Sequence, residues 1–164
     1  MEIERKFKPE KLPSDLSSYP CLLIQQAYLC TDPVIRIRRQ NEEYYLTYKG
    51  KGLMAREEYN LPLNKDAYQH LLTKADGNII SKKRYLIPIA SPAFASGCQI
   101  PSQPINLKVE LDLFDPPFAP LVIAEVEFPD EEMANAFLPP AWLGEDVTKN
   151  PEYHNSNLSR KIIS

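Results

Sequence analysis

Along most of this chain, apolar and polar residues change places at every step. A period of two is the signature of a β-strand, because successive strand side chains point to opposite faces of the sheet. Eight stretches carry it: residues 2–8, 22–31, 34–39, 43–51, 55–61, 79–87, 106–114 and 121–128. In the second stretch Leu23, Gln25, Ala27 and Leu29 share one face. In the third, Ile35 and Ile37 alternate with Arg36 and Arg38. In the seventh, Leu107, Val109, Leu111 and Leu113 alternate with Lys108, Glu110 and Asp112. Helical periodicity is confined to short pieces. Asn64-Lys65-Asp66 reads as a cap, followed by a helix over 67–75 with Tyr68, Leu71 and Leu72 on its apolar stripe. Pro129-Asp130-Glu131-Glu132 opens a short helix reaching Leu138, and a last helix runs over 157–163. Residues 90–104, rich in Ser, Pro and Ala, read as a loop between hairpin arms.

Most connections between the strand runs are tight, Asn41-Glu42 being one of them. Tight connections join antiparallel strands and cannot join parallel ones. The fold class expected is therefore mainly β (α+β): eight antiparallel strands closed into a barrel, with a few short helices. Eight strands suffice to enclose a small ligand or a filled interior. A length of 164 residues suits one domain, spanning 1–164.

Composition narrows the class of partner. Apolar content of 43% and charged content of 25% are ordinary for a globular protein. Sixteen prolines against five glycines favour strand ends and fixed loops over long helices. A net charge of −3 gives no basic character that would suggest nucleic acid or an anionic membrane as partner. The three cysteines are odd in number and widely spaced, which fits a reducing compartment and not a structural zinc site. The N-terminus lacks the apolar stretch of a signal peptide. The expected location is the cytoplasm. Tyr19, Tyr28, Phe94 and Phe118 are aromatic candidates for a homodimer contact.

The charges change the picture more. On alternating positions stand the acids Glu2, Glu4, Glu58, Glu110, Asp112, Glu125 and Glu127, and the bases Lys6, Arg36, Arg38, Lys49, Lys82, Arg84 and Lys108. A single strand of this kind is usually half-solvated, its polar face in water; Arg5, Glu57 and Lys83 read as such outward residues. The whole set does not fit that picture. Like charges two apart on one strand face repel, and stability alone gives no reason to repeat Glu-x-Glu and Arg-x-Arg. Paired arginines suit a bidentate oxyanion such as phosphate. Paired carboxylates suit a hard divalent cation that bridges to phosphates. Facing one cavity, the two clusters would hold a chain of phosphates with metal at its acidic end.

Glu2-Ile3-Glu4-Arg5-Lys6 resembles the ExExK signature of the CYTH superfamily, the triphosphate tunnel metalloenzymes. The other pieces follow in family order: Arg36-x-Arg38, Lys49, Arg56-x-Glu58, Lys82-x-Arg84, Glu110-x-Asp112 and Glu125-x-Glu127. Trp142 to Thr148, Tyr153 and Asn155 to Leu158 also look like bacterial members. The resemblance implies an eight-stranded tunnel, open at both ends, that binds a linear, nucleoside or thiamine triphosphate with magnesium or manganese. It implies Glu2, Glu4, Glu110, Asp112, Glu125 and Glu127 as metal ligands. It implies Lys6, Arg36, Arg38, Lys49, Lys82 and Arg84 as phosphate ligands, with Lys149 closing over the site. Asn60 departs from the pattern, standing where a second acid is expected after Glu58.

The expected activity is metal-dependent hydrolysis of a triphosphate, most simply inorganic tripolyphosphate. Phosphoryl transfer asks for charge neutralisation and in-line positioning more than for a covalent nucleophile. Glu58 or Glu127 would orient the water, and Lys6 would act beside them. Thiamine triphosphatase and class IV adenylate cyclase are rivals within the family. A non-catalytic polyphosphate- or nucleotide-binding module is the rival from another class. His70 and His154 read as structural.

Overall fold

The computed structural model describes residues 1–102 and 105–162. Its strands are β1 (Glu2–Lys8), β2 (Cys21–Thr31), β3 (Val34–Gln40), β4 (Glu43–Lys49), β5 (Ala55–Arg56), β6 (Glu58–Leu63), β7 (Asp76–Pro88), β8 (Ala93–Phe94), β9 (Lys108–Phe114), β10 (Val122–Glu127), β11 (Phe137–Leu138) and β12 (Glu145–Asp146). Three short α-helices accompany them: α1 (Lys65–Leu72), α2 (Glu131–Ala136) and α3 (Asn155–Arg160). All pairings are antiparallel, in the order β1-β10-β9-β7-β2-β3-β4-β6. The fifth expected strand breaks at Glu57. Its first half, β5, pairs with β1, and its second half, β6, pairs with β4. A tilted barrel needs such a stagger to bring its last stave onto its first. The broken stave closes the ring, and the expected eight-stave antiparallel barrel results.

Local chemistry explains the element ends. Asn41 takes φ of 53° at the β3–β4 turn, a conformation asparagine tolerates better than most residues. The Asn64 side chain accepts a hydrogen bond from Ala67 N at 2.7 Å and starts α1 at Lys65, two residues earlier than expected. Asp130 accepts from Met133 N at 2.7 Å and starts α2. Phe137 and Leu138 leave that helix to pair with β8. This pairing also anchors the 90–104 loop, whose last residues, Gln103 and Pro104, lie outside the described residues. The C-terminal helix begins at Asn155, two residues early; its expected end, Ile163, lies outside the described residues too.

The apolar core is distributed in an unusual way. The largest buried cluster lies on the outer wall: Ile3, Phe7, Val109, Leu111, Ala124 and Val126 pack under Met133, Ala134, Phe137 and Leu143. A second outer cluster, Ala27, Ile37 and Tyr68, lies under α1. Inside the barrel, apolar side chains fill one end only. There Tyr28, Val34, Ile80, Phe114 and Ile123 meet Phe118 and Leu158 of α3. The tunnel expected to be open at both ends is thus sealed at one, because the C-terminal helix lays Leu158 across it. Tyr28 and Phe118 are part of this seal, and Tyr19 and Phe94 pack against the outer core. Tyr28 and Phe118 are buried, whereas Tyr19 and Phe94 are half-buried. Among the described residues no helix is long and apolar enough to cross a membrane.

Candidate active site

Between the sealed end and the β3–β4 turn lies a cavity of about 700 Å³. Twelve of the expected site residues line it: Glu2, Glu4, Lys6, Arg36, Arg38, Lys49, Glu58, Lys82, Arg84, Glu110, Glu125 and Glu127. Register produces this convergence. Glu4 pairs across with Glu127, Lys6 with Glu125, Glu125 with Glu110, and Lys49 with Glu58. Cross-strand partners share a face, so one inward residue fixes the next around the ring. The outward reading of Arg5 also holds: it donates to Asp146 and to the carbonyls of Ala134 and Phe137 on the outer surface.

One wall is basic and short of countercharge. Arg36 and Arg38 on β3 are buried, and neither has an acidic partner among the described residues. The Arg38 guanidinium donates twice to Gln26 Oε1. Burial, then the nearby Arg36 and Arg84, lowers its pKa. Arg36 donates to Thr47 Oγ1 at 3.2 Å, and its Nε is the one buried side-chain polar atom without a partner among the described residues. A buried donor left unsatisfied costs free energy. A bound oxyanion would recover it. Thr47 donates in turn to Asn60, and Asn60 donates to Glu58 at 3.0 Å. An asparagine suits this position because it accepts from Thr47 and donates to Glu58 at once; an ionised acid could not donate.

Across the ring from β3 stands β10, beside β1, and this wall is acidic. Glu4 is half-buried by its surface; desolvation and then the Glu125 charge hold its carboxyl well above the usual range. Burial alone would raise Glu125 as well, but Lys6, Arg84 and Lys82 hold it well below. The Glu4 carboxyl beside it adds to that fall. Glu2 and Glu58 repeat the arrangement. Burial raises Glu2, with Lys49 opposing, while Glu58 is pulled down to about 2 against its own burial by the Glu2 hydrogen bond and by Lys49. Lys49 Nζ lies 2.9 Å from Glu2 and 3.4 Å from Glu58. Carboxyls paired in this way, one raised and one lowered, have the donor chemistry of a hard cation site. Among the described residues no three acids, histidines or cysteines are already gathered into one ligand set. Magnesium commonly binds through one or two carboxylates, with phosphate oxygens and water completing its shell, so paired acids fit it.

Three expected site residues do not line the cavity. Asp112 is fully buried, and its oxygens lie 2.7 Å from Lys82 Nζ, 2.7 Å from Arg84 Nε and 2.9 Å from Arg84 Nη2. It is the counterion of these two cations. Lys108, at the outer end of β9, is exposed. Lys149 is exposed as well, because Val147 N donates to Lys6 O and Lys6 N donates to Thr148 Oγ1, which pins the preceding segment to the outer wall. Glu110 remains in the cavity, held by Arg84 at 2.8 Å.

Other lining residues lack any period-two signal. His154, Asn155 and Ser156 enter from the C-terminus. His154, read as structural from the sequence, faces the site. Burial, then Lys6 and Arg56, pulls its pKa down to about 4, so the ring is neutral near pH 7. Lys82 falls to about 7 through burial, with Asp112 opposing and Arg84 and Arg38 adding to the fall. Glu127 rises through burial and then Glu110 and Glu58. Among the described residues Glu127 makes no side-chain hydrogen bond or ion pair.

The CYTH domain model matches residues 1–134. The chain is 35% identical to an inorganic triphosphatase of Nitrosomonas europaea, with 98% of each chain covered. It is 33% identical to an inorganic triphosphatase of Acetivibrio thermocellus over 84% of this chain and 80% of that one. A solved crystal structure of an inorganic triphosphatase superposes with a TM-score of 0.67 at 31% identity, covering 100% of this chain and 97% of the other.

Proposed function

The chain belongs to the CYTH domain family, and on that premise we propose that it is a metal-dependent hydrolase of inorganic triphosphate. The observation that carries the reading is the pair of buried arginines without countercharge, Arg36 with an orphaned Nε, facing a wall of paired acids across a cavity sealed at one end. A polyanion with its cation answers both walls together. A phosphate-binding module would need only the arginines. The relatives' names, inorganic triphosphatase in both organisms, supply the substrate class.

In this reading Arg36, Arg38, Lys82 and Arg84 hold the phosphate oxygens and neutralise the charge that develops on them. Lys6 stands within the acidic wall beside Glu125, and Lys49 stands between Glu2 and Glu58. Glu2, Glu4 and Glu125 would hold magnesium or manganese, which would supply positive charge to the phosphate oxygens and to the attacking water. Glu127 has the free carboxylate and the raised pKa of a general base, whereas Glu58 is occupied by Lys49, Asn60 and Glu2. Glu127 takes a proton from the water as its oxygen attacks the terminal phosphorus. The bond from that phosphorus to the bridging oxygen breaks, and orthophosphate and pyrophosphate result. The cytoplasmic setting expected from the unpaired cysteines belongs to the same proposal.

A second reading, an organic triphosphate such as thiamine triphosphate, is favoured by Tyr45, Pro62 and Leu63 at the cavity rim. The test is phosphate release from tripolyphosphate, ATP and thiamine triphosphate, each with and without magnesium or manganese. Metal-dependent release from tripolyphosphate alone supports the first reading. A preference for the organic substrate supports the second. Cyclic nucleotide with pyrophosphate would point to a cyclase, and binding without turnover would sink both hydrolase readings.

A further inference from the structure

The phosphate-binding cations are tied to the C-terminal helix through one amide. Asn155 Oδ1 accepts from Lys82 Nζ at 3.1 Å and from Gln26 Nε2 at 3.0 Å. Gln26, fully buried, accepts two hydrogen bonds from Arg38 on its own oxygen. The sense of this chain is forced. Arginine and lysine can only donate, so the Gln26 oxygen must face Arg38, its amide nitrogen must face Asn155, and the Asn155 oxygen must face Lys82. Two cations on different staves, β3 and β7, are therefore held by a residue 129 positions from Gln26 and 73 from Lys82 in the chain.

The helix that carries the amide has a built seat. Gly77, at φ of +76°, lies so close to α3 that a Cβ there would meet Ser159 O at 2.2 Å. Asn78 Nδ2 donates to the carbonyls of Leu158 and Lys161. Leu158 is buried in the seal. The helix position is thus fixed independently of Asn155, which leaves its amide free to impose a position on the cations.

We propose that Asn155 is a positioning residue of the phosphate site, fixing Lys82 directly and Arg38 through Gln26. This rests on the reading of the cavity as a triphosphate site. Its function is to preorganise: two long, flexible cations lose their rotamer freedom before the anion arrives.

The test uses the full chain with Asn155→Ala, Gln26→Ala and the double variant. Tripolyphosphate binding is measured by calorimetry in EDTA, and turnover with metal is measured separately. Asn155→Ala is expected to weaken anion binding by roughly ten- to a hundredfold, the range for hydrogen bonds to charged groups. KM should rise in step, while the metal concentration for half-activation stays unchanged. The two single losses should be strongly non-additive, since either one breaks the same relay to Arg38. A merely structural residue would move thermal stability and metal activation together and show additive losses; that result overturns the proposal. So does wild-type affinity in Asn155→Ala. Wild-type protein that binds the anion but turns over nothing overturns the hydrolase reading and leaves the positioning test intact. Wild-type protein that fails to bind overturns both.

Discussion

Replacing Asp112 by Asn separates two roles that predict opposite signs. As a metal ligand crowded by other acids, Asp112 would be relieved of repulsion by the change, and the metal-free protein would hold or gain stability. The structure makes it a counterion instead. Its loss leaves Lys82 with no ion-pair partner among the described residues, whereas Arg84 keeps Glu110 at 2.8 Å and Glu125 at 3.9 Å. Removing one partner of a buried pair costs about 3–5 kcal/mol, and the retained Glu110 favours the lower end. At about 2–4 °C per kcal/mol for a chain of this size, the melting temperature should fall by ~6–20 °C. The assay is thermal unfolding followed by circular dichroism without divalent metal. Tripolyphosphate should recover part of the loss, because an anion that binds only the folded state stabilises it. A melting temperature within about 2 °C of wild type, together with weakened metal binding, would refute the reasoning and return Asp112 to the metal shell.

Glu4→Gln should abolish metal-dependent turnover while the metal-free protein becomes more stable at neutral pH. The Glu4 carboxyl is raised in the folded state, so it favours folding below the ordinary carboxylate range, and this contribution is lost as pH rises through its folded value; denaturant unfolding at several pH values should show that loss disappear in the variant. Arg38→Ala should lower kcat/KM for tripolyphosphate by roughly ten- to a hundredfold, with a smaller fall in melting temperature than Asp112→Asn, since the guanidinium it removes has no acidic partner and leaves only the Gln26 oxygen unpaired; unchanged kinetics would make Arg38 a bystander. Leu158→Ala should cost about 2–5 kcal/mol in urea unfolding, with the m-value unchanged; a loss below that range would mean the sealed end does not depend on α3.

How much of the site could be read in advance varies residue by residue. Arg36 and Arg38, or Glu125 and Glu127, declare a shared face through spacing alone. Glu110 and Asp112 declare the same face, yet one lines the cavity and the other disappears beneath Lys82 and Arg84. That difference comes from the pairing of Arg84 with Asp112, a register between β7 and β9. Asn60, which departs from the acidic pattern in the sequence, stands between Thr47 and Glu58 and makes two hydrogen bonds that an ionised carboxylate could not make together. His154 and Asn155 carried no periodic signal, since they reach the site from the far end of the chain.

The sequence by itself determined that the protein is an antiparallel barrel and which side chains face inward, because the period of two is a local property of each strand's backbone. Tertiary structure alone decided which inward charges neutralise one another and which stay free for a ligand. It also decided that a C-terminal helix closes one end and steadies the cations. Those outcomes depend on stagger between staves and on contacts more than a hundred residues apart, and neither leaves a mark in the order of neighbouring residues.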